Sequence, residues 1–215
     1  MRPVKVESGN RGIPPGTTAD HPKPQKGAKG VAYAMCVRKF DIIYSKTRRK
    51  EAAMAERKKV YVETTVVNDA TALPTRDLVQ AGRQLVTREW WNTAAERFDL
   101  FSSNVVANEA RRGDPSAAKR RVDALQGIPE LKADEKALAL ASELIARRAV
   151  PPEYPDDALH IATAALNGMD YLVSWNFKHI TNAHTIPLVE RICRENGYAC
   201  PCICIPQMLQ EGGRE

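Results

Sequence analysis

An α/β fold of three layers, with helices on both faces of a central parallel sheet, is predicted by three features of this 215-residue sequence. Short β-branched runs alternate with helical patterns from Lys59 onward, and strands separated by helices return to one sheet as parallel βαβ units. The segment 59–206 has the length of one domain with a sizeable core. Oxygen-bearing side chains recur where the predicted strands end and helices begin, which is where open parallel sheets carry their chemistry.

The elements follow in order from Lys59. "KVYVETTVV" is β-branched and charged on its near side, and reads as a strand whose end carries Glu63. "PTRDLVQAGRQLVTREWWNTAAERF" places Leu78, Leu85 and Val86 at helical spacing and reads as one or two helices. "DLFSS" is a short strand, and "NVVANEARRG" a short helix capped by Ser103 or Asn104. Asp114 with Pro115 starts a helix, because proline is tolerated at the first helical position and the aspartate accepts from exposed amides; the helix runs to Gly127. "IPEL" reads as an apolar turn. "DEKALALASELIARR" is strongly helical, with Leu138, Ala141, Leu144 and Ile145 as its apolar face, and "PPEY" breaks it. "PDDALHIATAALNG" is a helix of small residues entered through Pro155 and Asp156, and "DYLVSWN" a buried strand ending at Asn176. A last helix, "IPLVERICRENG", leads to a final strand around Ile203.

Charge divides the chain. Residues 1–58 hold 14 Lys and Arg against 5 Asp and Glu, whereas residues 59–215 hold 18 against 21, so the basic balance belongs to the N-terminal part. The first thirty residues are rich in Pro, Gly and Lys with almost no large apolar side chains, a composition that cannot bury enough surface to order itself. The organisation expected is a basic, mostly disordered extension over 1–58, a domain over 59–206 and a short tail over 207–215. Met54 stands a few residues before the first strand and is a candidate start, with 1–53 then an artefact of gene calling. No apolar run approaches the ~20 residues of a membrane span, no signal peptide is evident, and a soluble cytoplasmic protein is expected. The odd cysteine count, Cys36, Cys193, Cys200, Cys202 and Cys204, is not a disulfide framework. In "ACPCICIP" the alternation would turn Cys200, Cys202 and Cys204 to one face as buried thiols, and the spacing is not that of a structural zinc site.

Glu63, Glu109, Asp157 and Asn176 are the candidate site. Glu63 and Asn176 occupy predicted strand ends, Asp157 the first turn of its helix, and Glu109 a short helix after a strand, so all four can face one crevice. Carboxylates and an amide suit a hard cation such as Mg²⁺ or Mn²⁺, which neutralises a phosphate and acidifies an attacking water. Taken singly, each has a bland reading: a solvated glutamate, a helix cap, or a Glu109–Arg112 pair. Asp156 adjoins Asp157, but about 100° of helical turn per residue keeps both from facing the crevice equally. His160, one turn on, is either a partner of the site or a packed histidine; His179 and His184 carry no mark of catalysis. Trp90, Trp91 and Trp175 are candidates for base stacking but are more simply core. Arg111, Arg112, Lys119, Arg120 and Arg121 can either track a polyanion or form a solvated face.

The conjunction of "VYVETT", "NEARRGD", "DDALHIATAA" and "LVSWNFKHI" in this order resembles the PIN-domain family, and more closely its bacterial branch related to the toxin nucleases of type II toxin–antitoxin systems. The resemblance covers roughly residues 59–206, with "DALHIA" and "SWNFKHI" its most specific pieces. It implies a compact PIN-like, Rossmann-like α/β/α domain that cleaves single-stranded RNA with Mg²⁺ or Mn²⁺. It also implies an antitoxin protein as partner, and a homodimer. By position, Glu63, Glu109, Asp157 and Asn176 match the family's first, second, third and last site residues, and Thr64 or Thr65 the hydroxyl residue that supports the metal water. Two positions depart from the pattern: the first is more usually Asp, and the last is often Asp where this chain has the neutral Asn176. They keep open a second reading, a catalytically weakened module that binds RNA or protein. A dinucleotide enzyme is set aside, since neither a G-x-G-x-x-G nor a P-loop is present.

Overall fold

The computed structural model describes residues 57–210. The expectations for the basic extension before Arg57, Cys36 and Met54 included, and for 211–215, lie outside the described residues.

Five parallel strands form one sheet in the order β3-β2-β1-β4-β5. They are β1 (Lys59–Val62), β2 (Asp99–Ser103), β3 (Glu130–Leu131), β4 (Tyr171–Val173) and β5 (Cys202–Cys204). Among the described residues seven α-helices join and flank them: α1 (Thr64–Thr71), α2 (Leu78–Arg97), α3 (Asn104–Ala110), α4 (Pro115–Ala124), α5 (Glu135–Ala146), α6 (Pro155–Leu166) and α7 (Ile186–Glu195). The α/β architecture is that expected of alternating strand and helix patterns. Val60 pairs with Leu100 on one side and with Tyr171 on the other, so β1 is central, and Val60, Tyr61 and Val62 are fully buried. A strand covered on both faces needs such a continuous apolar run. The order reverses direction between β1 and β4, and the carboxyl ends of these two strands therefore open a crevice.

Helix starts obey the capping chemistry in the sequence. Ser103 accepts from Val106 N–H at 3.3 Å, Asp114 from Ala117 N–H at 2.8 Å and Asp134 from Ala137 N–H at 3.0 Å, each satisfying an amide the helix leaves open. The turn after α4 passes through Gly127 at φ +83°, a conformation that costs a glycine little.

Several local expectations are corrected. β1 ends at Val62 and α1 starts at Thr64, so Glu63, expected at the end of the strand, is the junction between the two, its N–H donating to Val173 O at 3.1 Å. "IPEL" is the edge strand β3, held by Ser102 N–H to Pro129 O at 2.9 Å. β4 ends at Val173, so Asn176 lies in the loop beyond it. Leu78 is 87% exposed and Leu85 is also exposed; α2 is one helix that buries Gln84, Thr87, Trp90 and Ala94 instead. Leu138 is likewise exposed, and α5 buries Ala137, Leu140, Ala141 and Leu144. Cys193, Cys200, Cys202 and Cys204 are free, but Cys202 is exposed on the edge strand β5, so the cysteine face is not uniformly buried. Beyond β5 a 3₁₀ turn, Pro206–Leu209, buries Leu209, and the Leu209 carbonyl accepts from Arg97 at 2.8 Å. No described helix is long and apolar enough to cross a membrane.

Candidate functional site

Glu63, Glu109, Asp157 and Asn176 all line one cleft of about 390 Å³ at the carboxyl ends of β1 and β4, with Thr64, Thr65, Asn68, Arg112 and Arg121 among the other lining residues. Each arrives by its own element. Glu63 is the junction between β1 and α1, Glu109 ends α3 just after β2, Asp157 is in the first turn of α6, and Asn176 opens the loop after β4. Behind the cleft wall Glu63 and Glu109 group with the fully buried His160, one donor atom from each lying within 4.8 Å of the others. Asp157 and Asn176 stand on the same cleft outside that group.

Glu63 is only 3% exposed, and the hydroxyls of Thr65 and Ser174 both donate to its Oε2, the second at 2.8 Å. Ser174 Oγ also accepts from Asn176 N–H at 2.9 Å, and Thr65 Oγ1 from Trp175 N–H at 2.8 Å, so the β4 loop is laced to the first turn of α1. Glu109 Oε2 takes the Thr64 hydroxyl and His160 Nε2, the latter at 3.0 Å. His160 Nδ1 lies 2.8 Å from Tyr61 Oη, and Tyr61 Oη lies 2.6 Å from Ser103 Oγ. Nε2–H donates to Glu109 in either charge state of His160, and Ser103 accepts from Val106 N–H throughout. When the ring is charged Nδ1–H donates to Tyr61 Oη and Tyr61 donates to Ser103; when it is neutral the Tyr61 and Ser103 bonds run the opposite way. Asp157 Oδ2 receives His179 Nδ1 at 2.8 Å, and Asn176 Oδ1 accepts from His179 N–H at 3.1 Å.

Asp156 points its charge elsewhere, pairing with Arg112 at 3.3 Å. Thus Asp157 and not Asp156 faces the cleft, and Arg112 serves Asp156 in place of the expected pairing with Glu109. Of the basic cluster only Arg112 and Arg121 line the cleft; Lys119 pairs with Asp123, and Arg120 donates to the Thr71 carbonyl at 3.0 Å. Trp90 and Trp175 are buried, Trp175 Nε1 donating to Thr87 Oγ1 at 2.8 Å, and Trp91 is partly buried against the same core, which leaves them to packing. His179 was not marked by the sequence, because its meeting with Asp157 depends on how the loop after β4 folds back. Its spacing from Asn176 was the only available signal.

Burial pushes the Glu63 carboxyl above the usual carboxylate range, against the pull of His160 and the two hydroxyls. Desolvation also raises Glu109, but the His160 hydrogen bond and charge, with Thr64 and Arg112, outweigh it and hold Glu109 below its ordinary value. For His160 burial disfavours the charged form, yet the Glu109 bond and the charges of Glu63, Glu109 and Asp157 prevail and raise it. The folded, metal-free protein therefore holds protons on Glu63 and His160 that the unfolded chain has released. Stability from His160 is complete below the ordinary imidazole value of about 6.5 and is lost as pH rises through its raised value; Glu63 acts with the same sign. Glu109 acts oppositely, losing stability as pH falls below the ordinary carboxylate range. Melting curves in EDTA are expected to fall as pH rises above the ordinary imidazole value of about 6.5, and saturating Mg²⁺ to flatten the fall by replacing the protons as counter-charge. A melting temperature that climbs over this range in EDTA would contradict the assignment.

A hard divalent cation fits these donors. Two buried or half-buried carboxylates converge with a third on the same cleft, and His160 is already engaged with Glu109, so oxygen ligands dominate. The protein's bonds to Glu109 and Asp157 fall on one oxygen of each among the described residues, so each keeps a second oxygen for a ligand while its partner fixes its orientation.

No family model matches the chain, and no curated protein matches it. Among solved structures it is similar to VapC20 of Mycobacterium tuberculosis, a toxin that cleaves the sarcin–ricin loop, at 15% identity over 58% of this chain and 95% of that one, with a TM-score of 0.41. It is also similar to VapBC2 of Rickettsia felis, solved with a DNA fragment from its promoter, at 13% identity over 59% of this chain and 94% of that one, with a TM-score of 0.42.

Proposed function

We propose that this chain is a Mg²⁺- or Mn²⁺-dependent endoribonuclease that hydrolyses phosphodiester bonds of single-stranded RNA, the cytoplasmic toxin of a type II toxin–antitoxin pair. The observation that carries the reading is the convergence of Glu63, Glu109 and Asp157, from three separate elements, on one cleft also lined by Arg112 and Arg121. The sequence resemblance to PIN-domain nucleases supplies the reaction and the substrate class. When bound, the cation would neutralise the scissile phosphate and lower the pKa of an attacking water. Glu63, Glu109 and Asp157 would hold it, and Asn176 adds a neutral oxygen at the same cleft. The protein's own contribution is orientation: Thr65 and Ser174 set Glu63, Thr64 and His160 set Glu109, and His179 sets Asp157. Arg112 and Arg121 offer guanidinium charge to the phosphates either side of the reacting one. The cognate antitoxin would cover this acidic cleft, with an arginine among the carboxylates, and the active form would be a homodimer.

A specific feature favours the second reading, an RNA- or protein-binding module with weakened catalysis. Asn176 brings no charge, and its Oδ1 is occupied by His179 N–H at 3.1 Å. One assay separates the two. Purified protein is incubated with single-stranded RNA in Mg²⁺, Mn²⁺ or EDTA beside Asp157→Ala. Cleavage is expected with either metal, none in EDTA, and a loss of at least about 100-fold in the variant. Cleavage that survives the substitution assigns the activity to a contaminant or another site, and tight RNA binding without cleavage assigns the chain to the binding module.

A further inference from the structure

Two large aromatic side chains, outside the core, are exposed on the segments that carry Asp157 and Asn176 to the carboxylate cleft. Tyr154 is 47% exposed and Phe177 50% exposed, and each adjoins a segment that carries a cleft residue. The Tyr154 carbonyl accepts from Asp157 N–H at 3.2 Å, and Phe177 directly follows Asn176.

Neither ring is loosely held. Tyr154 stacks on His179 with ring centroids 3.9 Å apart and planes 36° apart, and His179 is itself tied to Asp157 at 2.8 Å. Phe177 meets Trp175 edge-on at 5.9 Å, the Arg83 guanidinium lies 5.8 Å from its centroid, and its N–H donates to the Trp175 carbonyl at 3.0 Å. The turn that carries Phe177 is closed by Asn176, whose carbonyl accepts from Ile180 at 3.1 Å and Thr181 at 2.8 Å. The other well-exposed apolar side chains, such as Leu73, Leu78, Val79 and Leu85, are aliphatic and offer no flat π face. Pre-positioned aromatic faces beside a cleft with cationic lining are what a strand with unpaired bases requires: phosphates go to the guanidinium groups and bases to the rings. In a duplex the base faces are already stacked on one another and cannot reach such rings.

We propose that Tyr154 and Phe177 form a stacking subsite for unpaired nucleobases next to the phosphodiester held in the cleft, and that this subsite makes the site selective for single strands. The proposal rests on the nucleic-acid reading of the cleft. Stacking is worth about 1–3 kcal/mol per base, or about 5- to 160-fold in affinity, and is tolerant of base identity.

The test is a binding titration of the full chain by fluorescence anisotropy in Ca²⁺, using a single strand of about 12 nucleotides, the same strand made abasic, and the duplex. Wild type is expected to prefer the base-bearing strand over the abasic one by about 5- to 160-fold, with the duplex nearer the abasic strand. Tyr154→Ala with Phe177→Ala should bring that ratio close to one, while Tyr154→Trp and Phe177→Tyr, which keep a π face, should retain it. Melting curves confirm that each variant is folded. A wild type that binds both strands equally while still cleaving RNA in Mg²⁺ overturns the subsite alone, as does a double-alanine variant that keeps the full preference. A wild type that binds neither strand and cleaves nothing overturns the nucleic-acid reading with it.

Discussion

Replacing Glu63 with glutamine is expected to abolish cleavage and, at the same time, to raise the melting temperature of the metal-free protein. The two effects have one cause. Glu63 is buried at the junction of β1 and α1, and burial disfavours its charged form. Above the ordinary carboxylate range folding therefore carries the cost of either protonating Glu63 or burying its charge, a cost the unfolded chain does not meet in water. Glutamine keeps an oxygen that accepts from Thr65 and Ser174, nearly the same shape, and no charge. Stability in EDTA should rise, most clearly at alkaline pH, where ionised Glu63 is most costly. The charge is also what a cation would bind, so the rise in melting temperature on adding Mg²⁺ should shrink with the lost affinity, and cleavage should fall by at least about 100-fold. Differential scanning fluorimetry with and without Mg²⁺, beside an RNA cleavage assay, reads all three quantities. A variant that is less stable in EDTA, or that keeps its Mg²⁺ response, would show that Glu63 is a structural glutamate.

His160→Leu should have the largest effect on stability. His160 is fully buried, bonds Glu109 through Nε2 and Tyr61 through Nδ1, and is the nearest counter-charge to both glutamates. Removing one member of a buried, hydrogen-bonded ionic pair costs about 3–5 kcal/mol, because the remaining charge stays in place without compensation. Here Glu109 keeps only the Thr64 hydroxyl, and the buried Tyr61 phenol loses one of its two partners. Urea unfolding in EDTA should report the loss. Millimolar Mg²⁺ should return part of it, since a cation supplies the charge that the imidazole gave. If the deficit is the same with and without Mg²⁺, His160 acts through packing alone and the carboxylates do not share its field.

The positions of the cleft residues were largely legible in the sequence, and their relations were not. The β-branched run at Lys59, the caps at Ser103 and Asp114, and the small-residue helix from Pro155 are local signals, each set by residues a few positions apart. The misread pieces depend on a neighbour distant in sequence. "IPEL" becomes strand because Ser102 and Ser103 offer it an edge. Leu78, Leu85 and Leu138 sit at helical spacing yet face water, since periodicity marks faces but not which face meets the sheet.

The same division holds at the site. By itself the sequence determined an alternation of strand and helix that permits a parallel sheet, and it placed Glu63, Glu109, Asp157 and Asn176 at or near the ends of those elements. Tertiary structure alone decided that Glu63 and Glu109 share His160, that Asp157 faces the cleft while Asp156 turns to Arg112, and that His179 folds back on Asp157. The physical reason is range. Caps, turns and strand propensity are settled by neighbours along the chain, whereas a carboxylate's partner, and with it its charge state, is settled by whichever strand the sheet brings alongside.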